Sequence, residues 1–574
     1  MDTFALGPLD YFAFLAFFAI LSLVGYWAGR RERGSADDYF LAGRNLPWYV
    51  VGGSFIASNI STEHFIGMIG AAYIYGICVA DSEWLNVASF SLIIWFFIPF
   101  LMASRVFTMP EYLERRFNGT LRQFFAFVTV LSNVVAFLAA VLYGGAIALQ
   151  SLFGWPFWVA VVVLGLAAGA WAIYGGLSSV AWTDFFTVIV MVLGGLSVTL
   201  LGLHMLGGES GSIVAGFKNM LEANRATAGV WKEAVDATAE HITGAPEYNR
   251  LSVIQPASHA VWPWPALIFG TFSISIWYNA LNQFMIQRVL GARDVYHARM
   301  GIVFAGMLKV FMPVIVVLPG LILFAKYPEV LLKPWDEVQG AADRGYVHML
   351  QTLVPAGLRG LFLAALFGAI QSTVNSVLNS SATIVTLDFY KRLIAPDATQ
   401  KQLVRAGILT SAALLLLSMV LAGFIERLGS GLFVYIQSLY AFFAPPFSAV
   451  FLLGILFRRI NAAGATAGVF SGFALGIALK VYVQYAPEHP AWLGPFMNQA
   501  IINWLASVAV CVAVSLVTAP PRPDQVDQTL MIDWKSLRAG AGLGSHWYTS
   551  VLTWWLVFVA AILALATVFS GLVF

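Results

Sequence analysis

Charge is what this sequence has least of. Only 10% of its 574 residues are Asp, Glu, Lys or Arg, against about 25% in soluble chains. A surface so poor in solvated groups faces something other than water, which agrees with a 60% hydrophobic content and a mean hydropathy of +0.80. The net charge of +2 supplies no concentrated basic face, so no nucleic-acid partner is expected. Cysteine is nearly absent. Cys78 and Cys511 both lie in apolar runs, which implies small buried hydrophobes and no disulfide framework. The eight histidines are scattered, with no Cys/His cluster at metal-ligand spacing and no visible nucleophile–base set. An enzyme is not expected, and no cofactor is implied.

Long apolar runs are what the chain does have, and a membrane span needs about 20 such residues. Fourteen candidates centre near residues 18, 61, 94, 134, 165, 194, 274, 311, 374, 414, 444, 473, 508 and 560. The first, from Leu9 to Ala28, lacks a basic start and a small-residue cleavage site, so it reads as a retained helix. Alternate loops carry Arg30, Arg31, Arg33 and Arg44; Arg105, Arg115, Arg116 and Arg122; Arg288, Arg293 and Arg299; Lys391, Arg392, Lys401 and Arg405; Arg458 and Arg459; and Arg522, Lys535 and Arg538. These are 20 of the 31 Lys and Arg residues, all on one side if the span count is right. By the positive-inside rule that side is the cytoplasm. Both termini then lie outside, as do the segments 208–262 and 327–350. The expectation is one polytopic domain in the lipid bilayer of the cell (inner or plasma) membrane.

Ionisable groups in a bilayer cost about 2.5–3.5 kcal/mol or more and mark pathways and binding sites. Five fall in the spans: Glu63, His64, Glu83, Asp184 and Lys309. Span 2 runs from Tyr49 to Tyr73, and its middle, Ala57-Ser58-Asn59-Ile60-Ser61-Thr62-Glu63-His64, is polar at the least tolerant depth. A broken helix accounts for this, because unwound backbone near the midplane frees carbonyls for an ion. A continuous helix bonded to its neighbours is the alternative. Span 7, from Pro265 to Arg288, has the same interrupted character at Ser273, Ser275, Tyr278, Asn279, Asn282 and Gln283. Spans 2 and 7 are five apart and oppositely directed, as an inverted five-plus-five repeat produces. The repeats would cover 47–207 (spans 2–6) and 263–456 (spans 7–11). The helix at 9–28 and the spans within 462–574 would be peripheral. Span 9 concentrates hydroxyls and amides from Gln371 to Ser376, and span 11 holds Gln437 before Pro445 and Pro446.

At these residues the chain resembles the sodium/solute symporters, in particular the sodium/glucose and sodium/galactose cotransporter branch. The matching stretches include DDYFLAGRNLPWYVVGGSFIASNISTEHFIG (Asp37 to Gly67), TMPEYLERRF (Thr108 to Phe117), IYGGLSSVAWTD (Ile173 to Asp184), QRVLGA (Gln287 to Ala292) and NSSATIVTLDFY (Asn379 to Tyr390). The resemblance implies an all-α membrane protein of about fourteen transmembrane helices with a leucine-transporter-type fold. It implies sodium as co-substrate, bound by the carbonyls of Ala57, Ile60 and Ala369 and the hydroxyls of Ser372 and Thr373, with Asp184 guiding the ion inward. Asn59, His64, Glu83, Tyr278, Lys309 and Gln437 would contact a sugar, such as glucose or galactose. Many sugar-transporting relatives have Trp directly after the gating Tyr, where this chain has Asn279, which would rewire the pocket. Asn375 and Ser376 stand where two-sodium relatives place further hydroxyls, so the stoichiometry is open. Sodium-coupled uptake of another polar solute (an inositol, a sialic-acid-like acid or an amino acid) and a non-pumping channel or sensor are the rival readings.

Overall fold

Hydrocarbon offers no water to satisfy backbone amides, so a chain of apolar runs is confined to helices or closed barrels. In the computed structural model of the protein, every regular element among the described residues is helical. Those residues are 6–30, 35–244, 248–355, 357–425, 432–486, 488–532 and 543–572. Arg31, Arg33, Lys535 and Arg538 of the positive loops lie outside them.

Among the described residues, 11 helices are long and apolar enough to cross a membrane, from Pro8–Gly29 to Val551–Val568. Two expected spans fall short of that length because the helix is interrupted. Trp48–Asn59 stops after 12 residues, where Ile60 turns extended (φ −80°, ψ 120°). Ala266–Leu281 stops where Asn282 does the same (φ −66°, ψ 123°). The expected spans near 165 and 194 share one helix, Phe157–Leu206, which kinks at Gly176 (φ 60°, ψ −159°), a conformation confined to glycine. A Cβ on Gly176 would also lie 2.4 Å from the Tyr39 carbonyl oxygen.

Two pairs of helices form the spine. Arg359–Ile384 packs along Phe157–Leu206, and Trp48–Asn59 packs along Val295–Val316. In the second pair small residues let the backbones meet, since a Cβ on Gly52 would lie 2.3 Å from the Gly301 carbonyl oxygen. Pro8–Gly29 flanks the first pair and Val551–Val568 the second, while Ala462–Tyr485 and Phe496–Val517 pack on each other. Cys78 and Cys511 are buried free thiols.

The segments 208–262 and 327–350, both expected outside, gather together. Gly229–Thr243 packs on Pro328–Leu332, and His241 stacks on Trp335 at 4.9 Å between ring centres. At the far end of the helix Arg359–Ile394, Arg122 pairs with Glu114 (2.5 Å) and Asp388 (2.6 Å), and Arg392 pairs with Glu114. These contacts join two of the positive loops.

The positive-loop reading needs one correction. Arg116 and Arg288 are wholly buried and are not loop charges. Arg116 caps the end of Leu432–Leu456 by donating to the carbonyls of Gly454, Phe457 and Ile460. Arg288 turns inward to Asp184.

Candidate functional site

The break at Ile60 opens a polar nook against the hydroxyl-rich helix Arg359–Ile384. Thr373 Oγ1 donates to the carbonyls of Ser58 and Ile60, each at 3.2 Å. Ala57 and Ala369 are fully buried on the two facing helices. Ser372 Oγ and Asp184 Oδ1 are buried without a hydrogen-bond partner in normal geometry, although Ser372 lies beside Asp184. Buried oxygens left over in a nook of carbonyls and hydroxyls are what a hard monovalent cation wants, since it binds through oxygen.

Asp184 closes this nook. Its Oδ2 accepts from Ser54 Oγ (2.7 Å), Ser58 Oγ (3.1 Å) and Ser376 Oγ (3.3 Å), and pairs with Arg288 at 3.4 Å. Arg288 also donates to Ser54 Oγ at 3.0 Å and to Ser376 Oγ. Asn375, beside Ser376, instead accepts from the Ala172 backbone N–H at 3.2 Å. Reading Arg288 as a loop charge missed it as a site residue. The hydroxyls of Ser54 and Ser58, one turn apart and aimed at one carboxylate, were the signal.

On the other side of the break lies a cavity lined by Asn59, Glu63, His64, Glu83, Tyr278, Lys309, Gln437 and their neighbours. Its polar wall is one connected chain. Lys309 Nζ pairs with Glu83 Oε2 at 2.7 Å and donates to Asn59 Oδ1. Asn59 Nδ2 then donates to the Tyr278 hydroxyl at 2.7 Å. His64 Nδ1 accepts from the Ser61 N–H (3.4 Å), so its Nε2 carries the proton that reaches Glu83 Oε1 at 3.3 Å. Glu83 and Lys309 are 3% and 1% exposed, so each makes the other's burial tolerable.

Aromatic layers bound the cavity. Trp262 stacks on Phe433 at one end (5.3 Å, 18°). At the other, Tyr278 lies 5.5 Å from Tyr440, which stacks on Phe137 at 5.0 Å. The Trp262 layer is held by His259, whose Nδ1 accepts the N–H groups of Val261 (3.2 Å) and Trp262 (3.0 Å). Burial holds the His259 imidazole neutral, its pKa depressed to about 3.

Asn279 is the expected pocket residue that does not line the cavity. It sits one layer behind, where its Nδ2 donates to Asn86 Oδ1 (2.6 Å), Ser89 Oγ (3.0 Å) and Ser275 Oγ (3.1 Å). Asn86 and Ser275 do line the cavity. Asn279 therefore acts on the wall through them. Conversely, Glu63 and Tyr440 line the cavity without having been assigned a role from the sequence.

Comparison with known proteins bears on this geometry. A model of the sodium:solute symporter family matches residues 39–472. A sodium/glucose cotransporter of Vibrio parahaemolyticus is 33% identical over 551 residues, covering 93% of this chain and 96% of that protein. A sodium/myo-inositol cotransporter of Mus musculus is 32% identical, covering 91% and 75%. The fold is also that of a solved Na+-coupled sialic acid symporter in a substrate-bound, outward-open state. That match has a TM-score of 0.71 at 22% identity and covers 90% of this chain and 99% of that one.

Proposed function

The chain belongs to the sodium:solute symporter family, and on that premise we propose that it carries a neutral sugar or cyclic polyol into the cytoplasm, coupled to sodium, by alternating access. Membership of a transporter family points away from enzymatic activity. In this reading the fourteen spans, the inverted repeat and the externally placed termini hold as the loop charges suggest. In that repeat the two interrupted helices, Trp48–Asn59 and Ala266–Leu281, each ended by an extended residue, would take corresponding positions in the two halves. Sodium is taken by the carbonyls of Ala57, Ile60 and Ala369 with the hydroxyls of Ser372 and Thr373, and Asp184 lies on its path.

The observation that carries the reading is the shared break: one interruption at Ile60 opens the cation nook on one side and ends in the solute cavity on the other. Filling the nook fixes Asn59, whose amide links Lys309 to Tyr278, so ion and solute act on the same backbone. The cavity offers a sugar both donors (Lys309, Asn59, Gln437) and acceptors (Glu83, Asn59), with the Tyr278 ring for an apolar face. One sodium ion crossing about 100 mV with a tenfold gradient supplies about 3.7 kcal/mol, enough to concentrate a neutral solute several hundred-fold.

Purified protein in proteoliposomes with an imposed inward sodium gradient is expected to accumulate a hexose or inositol, and to stop when the gradient is collapsed. Accumulation of no hexose and no inositol would overturn the reading.

A further inference from the structure

Glu63 is the pocket carboxyl left without a close partner. Its nearest donors are the Gln437 amide and the Tyr440 hydroxyl, both neutral and both at 3.5 Å. Hydrogen bonds to a carboxylate ordinarily run about 2.5–2.9 Å. The basic groups of the cavity are engaged elsewhere, Lys309 with Glu83 and Asn59, and the neutral His64 with Glu83. Glu63 nevertheless lines the same cavity and is only 5% exposed. Its backbone N–H is fixed by Ser61 Oγ at 3.1 Å, at the first turn after the helix break. A buried carboxylate in this position is satisfied by adjacent hydroxyl donors, by a cation or by a proton.

We propose that Glu63 is a specificity-determining residue that reads the charge of the solute. It accepts neighbouring hydroxyls from a neutral sugar or polyol, favours a sugar bearing a protonated amine, and bars one bearing a carboxylate. The charge balance of the wall supports this: the one ammonium, Lys309, is already matched by Glu83, and Glu63 adds a second carboxyl, so the cavity holds no surplus positive charge for an acid. The proposal rests on the reading of this cavity as the solute site.

The test compares the intact protein with its E63Q and E63D variants in sodium-containing buffer at pH 7, reading ligand-induced thermal stabilisation with glucose, galactose, myo-inositol, glucosamine and glucuronate. The parent should bind glucosamine at least as tightly as glucose and should not respond to glucuronate. In E63Q the glucosamine affinity should fall by about tenfold relative to glucose, the loss of one charge-assisted bond, and glucuronate binding should appear. E63D keeps the charge at shorter reach, so it should weaken every solute and retain the glucosamine preference. An unchanged glucosamine-to-glucose ratio in E63Q overturns the inference alone. If E63Q does not fold, loss of the preference in E63D overturns it. If the parent binds no neutral sugar or polyol, the proposed function falls, and this inference with it.

Discussion

The ion pair between Lys309 and Glu83 gives the sharpest test of the pocket. Its charged atoms lie 2.7 Å apart with almost no exposure. At an effective dielectric constant near 20, that separation gives a gross attraction of about 6 kcal/mol. Desolvating the two ions costs several kcal/mol each, so the pair contributes little net stability, whereas removing one partner strands the other. Lys309→Met and Glu83→Gln should therefore each destabilise by about 3–5 kcal/mol. The double variant removes both charges and should lose at least about 2 kcal/mol less than the sum of the singles. Thermal unfolding of purified protein in detergent, without solute, measures all four corners of the cycle. Solute binding should be weak in all three variants, because loss of Lys309 deprives Asn59 of the ammonium that orients it and loss of the Glu83 charge removes the partner that holds that ammonium in place. Strict additivity of the stability losses would refute the reasoning, since it would mean that each charge finds other compensation.

Three further outcomes follow from the same geometry. Replacing Ser372 and Thr373 together by Ala removes the hydroxyl side of the cation nook. Sodium activation of uptake should be lost or need at least about tenfold more sodium, and an unchanged sodium response would refute the site. Asn279→Ala removes the donor that holds Asn86, Ser89 and Ser275, at a cost of about 1–3 kcal/mol in thermal stability with weaker solute binding; unaltered binding would show that this second layer does not shape the wall. His259 titrates at about 3 in the folded protein, below the ordinary histidine value near 6.5. The unfolded chain takes up the proton first as pH falls, so this stabilisation is complete above pH 6.5 and erodes between there and about 3. It should amount to about 2 kcal/mol between pH 6.5 and 5. His259→Asn, which keeps an acceptor for the Trp262 N–H but cannot protonate, should flatten that slope in melting curves; an identical slope would exclude His259 as its source.

Much of the fold was legible because hydrocarbon leaves a chain few options. Apolar length marks a helix, and five buried ionisable residues mark where helices must open. The break in span 2 was readable from Glu63 and His64, whose burial at mid-depth a regular lipid-facing helix does not accommodate. Charge counting failed where an arginine sits near a helix end. Arg288 and Arg122 look alike in sequence, yet the first is fully buried against Asp184 and the second joins two loops. Hydropathy averages over a window and is blind to which way one side chain turns.

The site shows the same limit one residue at a time. Adjacency in the chain does not decide which side chain meets a cavity: Glu63 and His64 both line this one, whereas of Tyr278 and Asn279 only the first does. Tyr278 takes the cavity, and Asn279 takes the buried hydroxyls behind it. Resemblance had joined them because many sugar-transporting relatives carry a Trp where this chain has Asn279. It passed over Glu63 for the converse reason, since no role was carried across to that position. Burial beside an ion pair that excludes it is what separates Glu63 from a structural carboxylate. Its distant neutral donors leave it aimed at whatever fills the cavity, so the choice of solute turns on a residue that spacing flagged as costly but could not assign.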